Sequence, residues 1–249
     1  MTGLEYSNLS DRPPGAVVSL LSRVVPGVRS VLAQVEPYAV QWEQANGVAL
    51  RGGAPLWVAL GDSMTQGIGA SAFDAGWVGQ LSRRLTGDGW RHAVVNLGVN
   101  GARVADLLER QLPALDELLA QGRRVDLVTV LIGSNDIVLR RHRTGVVERF
   151  DAMLDRLPPR SVVANLPNPH REARAISRLL TARAAQGEMV LADMRADGPR
   201  SWRGRLASDR FHPNDLGYAE MAQVFSRALQ RAGLPAPTAT ESIPPAAGG

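Results

Sequence analysis

The chain contains no cysteine and no lysine. Without cysteine there is neither a disulfide framework nor a thiolate zinc site, and thiol chemistry says nothing about compartment. Without lysine, P-loop phosphate binding, Schiff-base chemistry and any catalytic ammonium are excluded together. All 28 basic side chains are arginines, interleaved with 24 acids to leave a net charge of only +4. That pattern has no basic stripe and no recognisable module, so no nucleic-acid partner is expected. Long apolar runs are missing as well. Nothing reaches the roughly 20 residues a membrane helix needs, and "AVVSLLSRVVPGV" (16–28) is interrupted by Arg23 and Pro26. It follows Glu5 and Asp11 rather than a basic leader. No signal peptide is therefore expected, and a cytoplasmic enzyme is the default.

What is present suits one α/β domain: 249 residues, 45% of them hydrophobic, are ample for one core and few for two. Residues 1–15 read as a loose arm. Val17, Leu20, Leu21, Val24, Val28, Val31, Leu32 and Val35 then recur at spacings of three and four, one apolar helical face. Pro26 and Pro37 are expected to break this run into short helices. These helices are expected to pack on the domain; the alternative is a mobile lid or a membrane-surface contact.

Five short apolar runs follow: "LWVAL" (56–60), "HAVVNL" (92–97), "VDLVTVLI" (125–132), "SVVAN" (161–165) and "EMVLAD" (188–193). Valine enrichment without strict alternation suits strands buried on both faces. Helical patterns separate them, at 77–85, 104–121, 146–157 and 171–186, with another at 215–232. Strand–helix alternation predicts a parallel sheet between helical layers. The expected organisation is an N-terminal helical extension (1–55), a catalytic domain (56–234) and a Pro/Ala/Gly-rich disordered tail (235–249).

In an open parallel sheet, ligands sit beyond the carboxyl ends of the strands. The first strand is followed by "GDSMTQG" with Ser63, the second by "GVNGARV" with Gly101, and the third by "GSNDIV" with Asn135. Beyond the fifth lies "ASDRFHPNDLGYAEMA", with Asp209 and His212. Four polar loops thus share one sheet edge. A lone Gly-Asp-Ser is ordinary turn chemistry, but "GDSMTQG", "NLGVNG", "GSND" and "DRFHPN" in this order resemble the GDSL/SGNH hydrolase family. The resemblance covers 56–232. It implies a three-layer α/β/α sandwich whose five parallel strands run in the flavodoxin-like order 2-1-3-4-5, setting Ser63 beside Asn135.

The resemblance further implies a serine esterase or lipase acting on a small-molecule ester, with no cofactor. Ser63 would be the nucleophile, since a serine hydroxyl needs a base to take its proton. His212 would be that base, and Asp209, three residues earlier, would orient the imidazole. The oxyanion donors would be the backbone N–H groups of Ser63 and Gly101 and the side-chain amide of Asn135. An acyltransferase or carbohydrate O-deacetylase could use the same residues, and a non-catalytic ligand-binding domain is the rival from another class.

Other residues receive lesser roles. Asp62 is expected to hold the turn through backbone hydrogen bonds. His92 precedes strand two, at the wrong edge of the sheet; His142 and His170 follow strands three and four and read as surface histidines, with pocket lining as the alternative. No metal site is expected, because "DRFH" supplies only two ligands. The "LRRHRTG" run (139–145) reads as a solvated charged face. The sharper alternative is that Arg140, Arg141 or Arg143 recognises an acidic group on the substrate.

Overall fold

A computed structural model of the chain describes residues 4–10 and 25–234. The expectations for Val17, Leu20, Leu21 and Val24, for most of the arm, and for the tail 235–249 lie outside the described residues.

Five strands form one parallel sheet: β1 (Leu56–Gly61), β2 (Ala93–Asn96), β3 (Val125–Leu131), β4 (Val162–Ala164) and β5 (Val190–Ala192). Their order is β2-β1-β3-β4-β5, as expected. β1 is buried along its whole length. Leu56, Val58 and Leu60 enter one core, while Trp57 and Ala59 enter the other. Period-two alternation between two covered faces is why the strand sequences read as continuous apolar runs.

Helices cover both faces. On one side lie α5 (Val104–Asp106), a π-helical segment (Leu107–Gln111), α6 (Leu112–Ala120), α8 (Val146–Arg156) and α9 (Arg171–Ala185). They pack Leu107, Leu115, Phe150 and Ile176 against the sheet. On the other side lie α4 (Trp77–Gly87) and α10 (Asp215–Arg231). There Trp77 stacks on Phe225 with ring centroids 4.1 Å apart. Each large side chain buried this way contributes about 1.5–3 kcal/mol.

Before the sheet come α1 (Pro26–Leu32) and α2 (Val35–Arg51). Here the expectation for Pro37 is corrected. Pro26 occupies the first turn of α1 and starts the helix. Pro37 is the third residue of α2 and leaves it intact for 17 residues. Both sit where the backbone N–H has no intrahelical acceptor, so losing it costs nothing. The break falls instead at Ala33 and Gln34.

α2 runs along the edge strand β2, and its Asn46 pairs with the backbone of Asn96 at the end of that strand. The Asn46 Oδ1 accepts from the Asn96 N–H at 2.8 Å, and its Nδ2 donates to the Asn96 carbonyl at 2.8 Å. The outward backbone groups of Asn96 are thereby paired at an edge that has no further strand. Among the described residues, no helix is long and apolar enough to cross a membrane.

Candidate active site

The carboxyl edge of the sheet is assembled by register. Gly61 of β1 pairs with Leu131 of β3, so the turns that follow them emerge side by side. The Val99 N–H donates to the Gly61 carbonyl at 3.2 Å and draws the loop after β2 to the same point. A β-carbon at Gly61 would collide with Thr65 Oγ1 and the Leu131 carbonyl; only glycine permits so close an approach.

Asp62 caps the short helix α3 (Ser63–Gln66), its side chain accepting from the Met64 N–H at 3.0 Å. This matches the turn-holding role expected of it. Ser63 stands at the first position of α3, where no preceding turn supplies a carbonyl for its N–H. The Ser63 hydroxyl lies 3.0 Å from His212 Nε2, and His212 Nδ1 lies 2.6 Å from Asp209 Oδ2. Facing a carboxylate, Nδ1 carries the proton, leaving Nε2 to accept from the Ser63 O–H.

The acid and the imidazole come from one tight loop. Asp209 Oδ1 accepts from the Phe211 and His212 N–H groups, both at 3.0 Å. Between them Arg210 takes a left-handed φ of 56°, a conformation costing on the order of 1 kcal/mol outside glycine. That cost folds Asp209 back onto its own histidine. The Ala207 N–H donates to the His212 carbonyl at 2.8 Å and closes the loop. Burial pushes the Asp209 carboxyl up, but the hydrogen bond and charge of His212, helped by both backbone N–H groups, outweigh it. The carboxyl is held below its ordinary value.

Asn135 lies in α7 (Ser134–Val138), directly after β3. Its Nδ2 donates to the Ala102 carbonyl at 2.9 Å, tying it to the loop of Gly101 and leaving its second N–H for another acceptor. Gly101 has φ 75°, and nothing lies within 4 Å of where its β-carbon would be. Backbone conformation, with open space in front, is what requires glycine there.

Several residues that brace this edge went unassigned in the sequence reading. The Gln111 amide pairs with both the N–H and the carbonyl of Gly61, at 2.8 Å each, locking the backbone just before Asp62. Asn96 Nδ2 donates to the Thr65 carbonyl at 2.7 Å, and its Oδ1 accepts from the Gly98 N–H at 2.8 Å. The helices before the sheet reach the same loops. Gln34 accepts from the Gly69 N–H and donates to the Ala70 carbonyl, at 2.8 and 3.0 Å. Trp42 Nε1 donates to the Gln66 carbonyl at 2.9 Å. Ser208, beside Asp209, donates to the Gly27 carbonyl at 3.2 Å. The available signal was a polar residue in an apolar stripe: Gln111 between Leu107 and Leu115, and Asn46 between Trp42 and Ala49.

Of the arginine run, Arg143 is committed to its own loop, its Nε donating to the Ile137 carbonyl at 2.6 Å. Arg140 is exposed and Arg141 lies against His142. His92 is stacked on Trp90 and sits 2.9 Å from the Ser82 hydroxyl, at the amino end of β2. Its Nδ1 contacts the Trp90 carbonyl rather than a carboxylate.

Asp62 has a thermodynamic consequence. Burial, with the charge of Asp136 adding and the Met64 N–H opposing, pushes its carboxyl up to about 7. Between about pH 4, where an unfolded Asp ionises, and pH 7, the folded chain keeps a proton the unfolded chain has released. Stability from this group is therefore full at low pH and declines as pH rises through that window. Asp62→Asn keeps the acceptor for Met64 and should remove a decline of a few kcal/mol. Denaturant unfolding at pH 5 and 8 checks this, and parallel pH slopes for both proteins would contradict it.

Residues 59–220 match the model of the GDSL-like lipase/acylhydrolase family. Esterase TesA of Pseudomonas aeruginosa is 29% identical over 167 residues, covering 64% of this chain and 80% of TesA. Two solved structures share the fold. The family 3 carbohydrate esterase of Clostridium thermocellum superposes with a TM-score of 0.60 at 18% identity, covering 72% of this chain and 96% of that one. The lipase/acylhydrolase of Enterococcus faecalis gives 0.59 at 20%, with the same coverage. With the motif loops gathered at one sheet edge and most of its length matched, the chain belongs to the GDSL-like lipase/acylhydrolase family and is an enzyme of the esterase type.

Proposed function

We propose that the chain is a serine carboxylesterase that works through an acyl-enzyme, with Ser63 as nucleophile, His212 as general base and acid, and Asp209 as its orienting carboxylate. The observation supporting this most is the unbroken chain Ser63–His212–Asp209, at 3.0 and 2.6 Å. Ser63 Oγ attacks the ester carbonyl carbon as its proton passes to His212 Nε2. The carbonyl oxygen gains the negative charge and faces the N–H groups of Ser63, Gly101 and the Asn135 side chain. Collapse breaks the bond to the alcohol oxygen, which takes the proton from His212. Water, deprotonated by the same imidazole, then releases the acid and restores Ser63. The family-matched core is read as the catalytic unit and the helices before β1 as its brace.

Hydrolysis of short aryl esters by the purified protein tests the reading. Free acid should form without any acceptor alcohol, and an unchanged acid yield on adding glycerol separates hydrolysis from acyl transfer. Asn135→Ala should lower kcat about 10²- to 10³-fold with little change in KM. A variant within a factor of two of wild type would remove Asn135 from the oxyanion site.

A further inference from the structure

Residues 4–10 lie ahead of α1 and outside the stretch that matches the family model, residues 59–220. They cross the loop that follows β2 and take its carbonyls one after another. Tyr6 Oη donates to the Leu97 carbonyl at 2.6 Å. Asn8 Nδ2 donates to the carbonyls of Asn96 and Gly98, at 2.9 and 2.8 Å. Its Oδ1 accepts from Asn46 Nδ2 at 3.2 Å. Asn8 is fully buried, so these bonds are made away from water, where an amide must find its partners within the protein.

The same residue reaches the turn of Ser63. The Asn8 carbonyl accepts from Gln66 Nε2 at 2.7 Å, and Gln66 ends α3, the four-residue helix that Ser63 opens. Gln66 is fully buried too, and its Oε1 has no hydrogen-bond partner among the described residues. Donation to Asn8 is thus the hydrogen bond that stands against the cost of burying this amide.

On the other side, Gly98 is held at both ends of its backbone. Its N–H donates to Asn96 Oδ1 at 2.8 Å, and its carbonyl is taken by Asn8. Val99, the next residue, opens a turn that the Ala102 N–H closes on the Val99 carbonyl at 3.0 Å. Gly101 sits inside that turn with its φ of 75°. The direction of the Gly101 N–H is therefore set from Gly98 onward.

We propose that Asn8 is a positioning residue of the esterase. It couples the turn bearing Gly101 to the helix that begins at Ser63, and so fixes two backbone donors relative to each other. The inference rests on the serine-esterase reading for its chemistry. Such donors lower a barrier only when they are already aimed at the developing charge, and small misplacements are costly. Asn8 touches neither substrate nor reacting atoms; it acts through Gly98 and Gln66.

Asn8→Ala and Gln66→Met cut the coupling at its two ends. In each, kcat per serine counted by active-site titration should fall about tenfold, with KM within a factor of two. The double variant should lose no more than either single one, because the two contacts form one link. A kcat within a factor of two of wild type, an equal loss carried by KM, or losses that multiply in the double variant overturns the proposal. Hydrogen exchange at backbone amides needs no substrate and separates this from failure of the esterase reading. Exchange should quicken about tenfold at residues 63–66 and 97–102 in both variants and stay unchanged in β3. If no form of the protein hydrolyses esters, that pattern still supports the link, and exchange like that of wild type overturns it. Where Asn8→Ala does not fold, Gln66→Met alone decides by the same measurements.

Discussion

Ser63→Ala should lower kcat for ester hydrolysis by about 10⁶-fold, to a floor set by substrate binding and the remaining donors. The Ser63 hydroxyl contacts His212 Nε2 at 3.0 Å, so its loss removes the proposed nucleophile without opening the core. Unfolding midpoints should stay within a degree or two of wild type. His212→Ala should fall to the same floor, because nucleophile and base act as one unit, and the double variant should be no worse than either. Ser82 supplies an internal control. It also lies 2.9 Å from a histidine, His92, but at the other edge of the sheet and with no carboxylate behind the imidazole. Ser82→Ala should therefore leave turnover intact. Stopped assays with active-site titration measure all four, and substantial activity in a clean Ser63→Ala preparation would sink the nucleophile assignment.

Asp209→Asn should cost about 10⁴-fold in kcat with KM little changed. The carboxylate has two tasks that an amide cannot both perform. Its Oδ2 takes the Nδ1–H at 2.6 Å, holding the tautomer that leaves Nε2 free for Ser63. In the proposed mechanism its charge also stabilises the imidazolium that forms as Ser63 attacks. Asparagine can still accept the Phe211 and His212 N–H groups through Oδ1, so the loop should keep its shape. The carboxyl is held below its ordinary value, so it remains charged across the neutral range. The deficit should accordingly persist at every pH from neutral upward. A deficit under tenfold would make Asp209 a loop-closing residue only.

The sequence carried the sheet and the motif loops because both are written in local chemistry. Doubly buried strands must be apolar throughout, and Ser63, Gly101, Asn135 and His212 each follow a strand at its carboxyl end. The bracing amides were not legible in the same way. Gln111 and Asn46 show only that a polar side chain interrupts an apolar stripe; what they bond depends on which strand folding brings opposite them. Pro37 misled for a related reason. A proline breaks a helix interior but is harmless in a first turn, and the turn at Ala33–Gln34 that makes it a first turn has no sequence marker of its own. The arginine run divided for tertiary reasons too: Arg143 is used by the Ile137 carbonyl, while Arg141 lies against His142, whose other ring nitrogen meets Arg103, distant in sequence.

A covalent bond to Ser63 is the most direct mark of the proposed chemistry. Brief reaction with 4-nitrophenyl acetate, quenched in acid and read by intact mass and peptide mapping, should show a single acetyl group on the peptide carrying Ser63. Ser63→Ala should show none. Turnover of the ester with no acyl adduct at any quench time, or an adduct on another residue that disappears with activity when that residue is replaced, would contradict it.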